Sequence, residues 1–230
     1  MAANEYPGAE PFVPPGEHSL KSLAEAARDC QGCDLFERAS QTVFGTGSPH
    51  ARIMLVGEQP GDAEDKEGKP FVGPAGRVLA RALGAAGISE DDSYITNAVK
   101  HFRWRDAPAG GKGRIHQRPD TWHIRACGPW LSAEIERVNP RVIVALGAVA
   151  GQAMFGSSFR VGAHRGRAQP WRLDGDRDNG RSPSGRGRIV VATIHPSAVL
   201  RATDRDSAYR GLVDDLAIAS DVLGVSAGRS

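Results

Sequence analysis

Apolar runs long enough to cross a membrane are missing from this sequence of 230 residues. The longest nearly apolar stretch, residues 142–155, is too short and too rich in glycine to span a bilayer. At the N-terminus no basic segment leads into an apolar one, so we expect no signal peptide. These absences predict a cytoplasmic protein that makes no contact with membranes.

Cysteine is the next scarce residue, with three copies in the chain. Cys30 and Cys33 form one Cys-x-x-Cys pair, and Cys127 stands apart from them. An odd, sparse set of this kind argues against a disulfide framework. The interpretations left open are a metal or cluster site, a redox pair, and ordinary buried thiols.

Lysine is also rare, because five of the 29 basic residues are lysine and the others are arginine. With 27 acidic residues the formal net charge is +2. The basic residues are concentrated in two places: residues 100–125 hold seven of them with two acids, and residues 160–188 hold eight arginines with three aspartates. Either stretch could bind a polyanion, although a basic loop is more often simply solvated.

Short β-branched runs alternate with helical patterns, which is typical of a parallel sheet covered by helices on both faces. The predicted strands are residues 53–56, 94–99, 142–146 and 189–194, and the predicted helices are residues 19–29, 74–86, 121–138, 148–155 and about 207–223. The strands are apolar throughout rather than alternating, as expected for strands buried on both sides. We therefore predict an α/β fold with three layers, α/β/α, around a central four-stranded parallel sheet.

The pattern indicates a single domain over residues 19–224. Residues 1–18 are rich in proline and predict a flexible tail, and residues 225–230 predict a second short tail. Residues 162–187 are rich in Gly, Arg and Asp, and we expect them to form a mobile insertion.

The loop after the first predicted strand carries the strongest local signal. Gly57 and Gly61 would allow a ligand close to the backbone, and a helix beginning near Pro74 would present amides suited to an anion. The loop matches neither a Walker motif nor a dinucleotide-binding GxGxxG. On its own, a tight structural turn explains it about as well.

Four motifs occur in order: GEQPG at residues 57–61, GKPFVG at 68–73, ITN at 95–97 and HPSAVLR at 195–201. Together they resemble the uracil-DNA glycosylase superfamily, and in particular its iron–sulfur branch, the family 4 enzymes. The resemblance covers about residues 20–220 and implies a uracil-DNA glycosylase fold that excises uracil from DNA.

The resemblance also implies roles for individual residues. An Asn97 amide can donate to uracil O4 and accept from N3–H, whereas cytosine reverses both polarities. Phe71 would stack on the flipped base, and His195 would donate to uracil O2 as negative charge develops there. The residues that we expect to bind uracil are Gly57, Gln59, Asp62, Phe71 and Asn97.

Family 4 enzymes hold a [4Fe–4S] cluster with four cysteines, and this chain matches three of those positions with Cys30, Cys33 and Cys127. The fourth position, after Thr-Asn-x-x-Lys, is His101. Imidazole can replace thiolate as a cluster ligand, so the resemblance implies a cluster held by three cysteines and His101. The alternatives are a cluster with three thiolate ligands alone, or no cluster with His101 contacting phosphate.

The segment GKGRIHQRP at residues 111–119 resembles the KRRIH loop of the UdgX branch, with Gly113 in place of one arginine. In that branch the loop histidine, here His116, becomes covalently attached to DNA after uracil leaves. A neutral imidazole beside the electrophilic C1′ has a large proximity advantage over water. Glu58 could stabilise the cationic transition state or accept the imidazole proton, so we expect His116, Glu58 and His195 to be catalytic.

The same resemblance implies uracil-containing DNA as the partner, with single-stranded DNA expected and double-stranded DNA left open. We expect a monomer. The residues expected to contact DNA are Lys112, Arg114, Arg118, Ser197 and Arg201.

Two further hypotheses remain open at this point. One is a conventional family 4 uracil-DNA glycosylase that turns over many times with water as the nucleophile. The other is an iron–sulfur electron carrier or nucleotide-binding module, which would not discriminate between bases.

Overall fold

The computed structural model describes residues 5–16, 18–108, 111, 113–172 and 187–224. Its strands are β1 (Thr46–Gly47), β2 (Ile53–Gly57), β3 (Ser93–Asn97), β4 (Trp104–Asp106), β5 (Arg114–His116), β6 (Val142–Leu146), β7 (Ala168–Trp171) and β8 (Arg188–Thr193). Its α-helices are α1 (Leu20–Ala27), α2 (Asp62–Glu67), α3 (Pro74–Ala85), α4 (Thr121–Val138), α5 (Ala148–Phe155), α6 (Val161–His164), α7 (Pro196–Arg201) and α8 (Arg205–Leu223).

Six strands form one sheet in the order β1-β3-β2-β6-β8-β7. The four central strands are parallel, whereas β1 and β7 run antiparallel to their neighbours at the two edges. The predicted α/β fold around a parallel core is confirmed, and the sheet has two more strands than predicted. The sequence pattern misses both edges because β1 has two residues and β7 contains Pro170, which only an edge strand tolerates.

The sheet is buried on both faces, which explains its continuous apolar strands. Successive side chains of a strand point to opposite faces, so Met54 and Val56 belong to one apolar cluster and Ile53 and Leu55 to the other. Helices α1, α4 and α5 pack on the first face, and α3, α7 and α8 pack on the second. This arrangement leaves the carboxyl ends of the parallel strands open, where the loops meet.

Strands β4 and β5 form a separate antiparallel hairpin between β3 and α4. In its register Trp104 pairs with His116 and Asp106 pairs with Arg114. Strands of three residues with mixed polarity give no clear hydrophobic pattern, so the sequence predicts a basic loop for this segment. The hairpin carries His116 to the open end of the sheet.

The N-terminal segment differs from the predicted flexible tail between residues 8 and 13. A 3-10 turn over Glu10–Phe12 follows Ala9, which is buried with 1% of its surface exposed. The Ala9 N–H donates to the Ala126 carbonyl at 2.7 Å, and the Gly8 N–H donates to the Gly32 carbonyl at 3.0 Å. These contacts pack the segment against α4 and the Cys30–Cys33 turn.

Part of the predicted insertion at residues 162–187 belongs to the sheet. Its beginning lies in α6, and β7 then pairs antiparallel with β8. Residues 173–186 and 225–230 lie outside the described residues, so a mobile insertion and a C-terminal tail stay predictions there. Among the described helices, none combines the length and the apolar character that crossing a bilayer requires.

Candidate functional site

A cavity of about 570 Å³ lies at the carboxyl ends of β2 and β3, beneath the hairpin and the start of α7. It brings together residues that are as much as 143 positions apart in the sequence, from Glu58 to Arg201. The predicted residues that line it are Glu58, Gln59, Phe71, Asn97, His116, Arg118, His195, Ser197 and Arg201.

Asn97 ends β3 and lies on the floor of this cavity, with 2% of its surface exposed. Its neighbour across the ladder is Gly57, where an added Cβ would collide with the Asn97 Oδ1 atom. The described part of the chain offers the Asn97 side-chain amide no hydrogen-bond partner. The Asn97 amide atoms are not sealed from solvent but open into the cavity, so their donors and acceptor are free to bind a polar group.

Phe71 forms one wall of the cavity. Its φ of 57° lies in the left-handed region. Bulky residues seldom adopt this conformation, and those that do are found preferentially at ligand sites. Gly76 makes this backbone possible, because a Cβ at residue 76 would collide with the Phe71 carbonyl. The Phe71 and His195 rings are stacked with their centroids 5.8 Å apart, so two aromatic rings border the cavity side by side.

His195 caps the start of α7, and its hydrogen bonds define its tautomer. The Ser197 N–H donates to His195 Nδ1 at 3.2 Å, and the Ser197 hydroxyl lies 2.8 Å from the same nitrogen. Burial, assisted by the charge of Arg201, lowers the His195 pKa to about 4. The ring is therefore neutral at pH 7 with its proton on Nε2, which makes it a hydrogen-bond donor toward the cavity.

His116 reaches the cavity from β5, with its Nε2 atom 3.7 Å from Glu58 Oε1. Partial burial lowers the His116 pKa, and the Arg201 charge lowers it further. Burial raises the Glu58 pKa, against the opposing charges of Arg118 and Arg201. A neutral imidazole beside a carboxylate of increased basicity is a pair suited to nucleophilic or general-base chemistry.

Gln59 lines the cavity, but its amide is committed to the hairpin. Its Oε1 accepts from the Arg103 N–H at 3.1 Å, and its Nε2 lies 3.1 Å from the Arg103 carbonyl and 3.0 Å from the Gln117 carbonyl. The same Nε2 lies 2.9 Å from His116 Nε2. In this arrangement Gln59 holds the two residues that flank the hairpin strands, Arg103 and Gln117, together with His116.

Arg114 and Asp62 also lie elsewhere than predicted. The Arg114 guanidinium binds Asp62 at 2.5 Å and the fully buried Asp65 at 2.6 Å, so it anchors the hairpin to α2. Asp62 also pairs with Lys66 at 2.5 Å and does not line the cavity. Lys112 lies outside the described residues.

Arg118 and Arg201 line the rim of the cavity, as a phosphate-binding role requires. Arg118 donates to Gln152 Oε1 at 2.8 Å, and its carbonyl accepts from Arg103. The charges of both arginines lower the Glu58 pKa, against the larger effect of burial, which raises it. Two positive charges at one cavity favour an anionic ligand there.

The sequence reasoning did not assign Glu64, which lines the cavity and accepts from the Gly61 N–H at 2.8 Å and the Gly73 N–H at 3.3 Å. Its carboxylate joins the residue before α2 to the residue before α3. The spacing from Gly61 is that of a helix capping pair, which is the sequence signal that could have identified it.

Cys30, Cys33 and Cys127 are all buried in the same apolar cluster and form no disulfide. Burial raises the pKa of Cys33 and of Cys127 to about 12. The Trp130 Nε1–H donates to the Cys30 sulfur at 3.2 Å. The predicted fourth ligand, His101, instead has its Nε2 3.0 Å from the Thr42 hydroxyl, and within the described ranges no three Cys, His, Asp or Glu side chains form a metal site.

Comparison with known proteins identifies relatives of this architecture. The family model described as Uracil DNA glycosylase superfamily matches residues 44–217. The type-4 uracil-DNA glycosylase of Thermotoga maritima is 35% identical over 197 residues, covering 86% of this chain and 90% of that protein. The type-4 enzyme of Saccharolobus solfataricus is 34% identical and covers 79% and 77%. A type-5 uracil-DNA glycosylase of Thermus thermophilus is 36% identical over 54% of this chain and 63% of its own length.

Proposed function

Because this chain belongs to the uracil-DNA glycosylase superfamily, we propose that it excises uracil from DNA by cleaving the N-glycosidic bond of a flipped nucleotide. The observation that carries the proposal is the amide of Asn97, a nearly buried residue whose side-chain donors and acceptor open into the cavity without a hydrogen-bond partner in the described part of the chain. Its donor and acceptor match uracil O4 and N3–H. With cytosine, each unpaired buried group would cost about 1–3 kcal/mol, which is the basis of the discrimination.

The surrounding residues supply the rest of the reaction. Phe71 stacks on the flipped base, and the Nε2–H of neutral His195 donates to uracil O2 as negative charge develops there. Glu58 stabilises the positive charge on the sugar and is positioned to activate a water molecule. Arg118 and Arg201 bind the flanking phosphates.

Similarity to type-4 enzymes favours water as the nucleophile and many turnovers per protein molecule. A second candidate, covalent capture of the abasic C1′ by His116, is favoured by one observation. His116 enters the same cavity beside Glu58, with a lowered pKa that keeps its ring neutral. A neutral nitrogen close to an oxocarbenium-like carbon competes effectively with water.

One gel distinguishes the two outcomes. The protein is mixed with a uracil-containing oligonucleotide and run under denaturing conditions beside His116→Ala and a control, His50→Ala, at an exposed histidine outside the cavity. A shifted band that needs uracil and disappears only in His116→Ala establishes covalent capture. Abasic product in excess of protein, with no shifted band, establishes the turnover enzyme.

Asn97→Ala tests the pocket itself. We expect this variant to lose its preference for uracil over cytosine in oligonucleotides of the same sequence, since the discriminating amide is gone. Unchanged preference would contradict the assignment of the cavity, whichever nucleophile acts. Parallel assays on single-stranded and double-stranded substrates would decide which form of uracil-containing DNA is the partner.

We also propose that Cys30, Cys33 and Cys127 hold a [4Fe–4S] cluster, with His101 as the candidate fourth ligand. The donor chemistry fits, because cysteine thiolates are the usual ligands of such clusters and the three cysteines are buried in one apolar cluster without forming a disulfide. The N–H groups of Trp130 and Lys100 already donate to two of the sulfurs. Closing the site requires His101 to exchange its contact with Thr42 for the cluster. When bound, the cluster would join the end of α1 to α4.

A further inference from the structure

A buried ion pair lies behind the cavity, between the end of β3 and α4. Lys100 Nζ is 2.5 Å from Glu134 Oε2, and the two side chains are 1% and 0% exposed. Neither residue lines the cavity. The sequence offers no sign of this pair, because its members are 34 positions apart.

Lys100 uses all three of its donors. Besides Glu134, its Nζ atom donates to the Thr96 hydroxyl at 2.7 Å and to the main-chain carbonyl of Asn97 at 2.7 Å. The Lys100 side chain thus folds back onto β3 and binds the main chain of Asn97, whose side-chain amide faces the cavity. Its own N–H donates to Cys127 Sγ at 3.2 Å, so residue 100 is also fixed to α4.

Glu134 is equally well satisfied. Its Oε1 accepts from the Tyr94 hydroxyl at 2.8 Å and from the Gly45 N–H at 3.1 Å. The Thr96 hydroxyl lies 3.0 Å from each carboxylate oxygen and donates to one of them. The network is therefore complete and has a single arrangement, as buried polar networks must if they are to be tolerated.

A buried ion pair is a poor way to gain stability, since desolvation offsets much of the attraction and apolar replacements are often neutral or stabilising. A buried ion pair directly behind the cavity floor is better explained by the position that it imposes on the neighbouring main chain. The main-chain hydrogen bonds between β2 and β3 continue for two residues past the strand end. The Ala98 N–H donates to the Gly57 carbonyl at 3.0 Å, and the Val99 N–H donates to the Glu58 carbonyl at 3.1 Å. Beyond them, Lys100 is the contact that fixes the exit from the strand.

We propose that the Lys100–Glu134 pair positions Asn97. It holds the Asn97 main chain so that the side-chain amide lies at the correct distance and angle to hydrogen-bond uracil. The inference rests on the proposed function, because it assumes that Asn97 reads the base. Lys100 and Glu134 act through Asn97 and touch neither base nor sugar.

The test is a double-mutant cycle between this pair and Asn97, measured as single-turnover excision of uracil with protein in excess. The charge-free variant Lys100→Met with Glu134→Gln leaves no buried charge uncompensated and keeps the side-chain volumes. We expect it to slow uracil excision about 100-fold, because a misplacement of about 1 Å has effects of that size. In the Asn97→Ala background the same two substitutions should slow the residual reaction less than about threefold, as expected for groups that act as one unit.

The two assignments fail separately. If Asn97→Ala keeps its preference for uracil over cytosine, the proposed function of the cavity is wrong. If Asn97→Ala loses that preference while the charge-free variant excises uracil at the wild-type rate, the positioning inference alone is overturned. Equal slowing in both backgrounds also overturns it, since the pair would then act independently of Asn97.

A milder pair of variants applies if the charge-free protein does not fold. Thr96→Val removes the hydroxyl that lies between Lys100 and Glu134, whereas Tyr94→Phe removes a hydroxyl from the far side of Glu134. Each loses hydrogen bonding to the same carboxylate. We expect the uracil preference to fall several-fold in Thr96→Val and to stay at the wild-type level in Tyr94→Phe. The same change in both variants, or none in either, would overturn the inference.

Discussion

At residue 57 the cavity depends on the absence of a side chain. A Cβ on Gly57 would collide with Asn97 Oδ1 and would lie 2.7 Å from Phe71 Cζ. Real Cβ atoms do not approach other heavy atoms this closely, so one or both of these side chains would have to move. Asn97 and Phe71 are the two groups proposed to hold the base on its edge and on its face.

Gly57→Ala should therefore lower the single-turnover rate of uracil excision by about 100-fold, since small displacements of binding groups have such effects. The matched control is Gly84→Ala in α3, where an added Cβ meets nothing within 4 Å. This control should keep wild-type activity and gain about 0.5–1 kcal/mol of stability from its improved helix propensity. Wild-type activity in Gly57→Ala would show that the base binds elsewhere.

The depressed pKa of His195, about 4, makes a prediction about stability and pH. Its pKa in the unfolded chain is near 6.5, so as pH falls below that value the unfolded state takes up a proton that the folded state does not. The contribution of His195 to folding stability is thus fully present above about pH 6.5 and is lost as pH falls toward 4.

Between pH 7 and pH 5.5 this group should remove roughly 1 kcal/mol from the free energy of unfolding. His195→Gln removes the titrating ring. Over the same pH interval, the unfolding free energy of this variant should therefore fall by roughly 1 kcal/mol less than that of the wild type. Denaturant unfolding of both proteins at the two pH values makes the measurement. An equal decrease in both would mean that the ring is not held neutral in the folded protein.

At the scale of elements, the β4–β5 hairpin is held from several sides. The Arg114 guanidinium binds Asp62 and Asp65 and lies 5.2 Å from the centre of the Phe102 ring, and the Trp104 Nε1–H donates to the Arg38 carbonyl at 2.9 Å. A two-stranded hairpin is marginal by itself, so these contacts determine where His116 lies.

Arg114→Lys keeps the positive charge beside buried Asp65 but cannot reproduce the forked contacts of a guanidinium. We expect it to loosen the hairpin, so that limited proteolysis cuts between residues 103 and 118 faster than in the wild type. Any covalent capture through His116 should decrease more than uracil excision does. Arg105→Lys, at an exposed position of the same hairpin, is the control and should behave as the wild type. If both variants resist proteolysis equally well, Arg114 does not anchor the hairpin to α2.

At the scale of the whole molecule, the cysteines connect distant segments. The turn after α1 carries Cys30 and Cys33, and α4 carries Cys127 together with Glu134 of the ion pair. A cluster bound at these thiols would thus stabilise the helix on which the exit of β3 rests.

Protein purified without oxygen should contain about four iron atoms per chain and absorb visible light. Cys127→Ser should lose most of the iron and unfold at a lower temperature. His101→Cys should retain the iron and His101→Ala should lose it, if residue 101 is the fourth ligand. Wild-type protein that is colourless, free of iron, folded and active would contradict the cluster.

Local patterns were sufficient for the parallel core, and the family resemblance supplied much of the cavity. Continuous β-branched runs predicted the strands because burial on both faces demands apolar residues at every position, and β2 and β6 are buried throughout. Asn97 ends such a strand and His195 lies just beyond another, at the carboxyl edge where a parallel sheet forms its binding crevice, but their roles came from the family resemblance.

Side-chain partners were beyond the reach of the sequence. Gln59, Asp62 and Arg114 carry suitable groups for binding uracil or phosphate, yet each is occupied by contacts between α2, the first loop and the hairpin. The Lys100–Glu134 pair was equally hidden. The sequence by itself determined which residue types end each strand, because burial and backbone geometry act locally. Only the tertiary structure decided which polar groups satisfy each other and which stay free for a ligand, because that depends on distances between segments far apart in the chain.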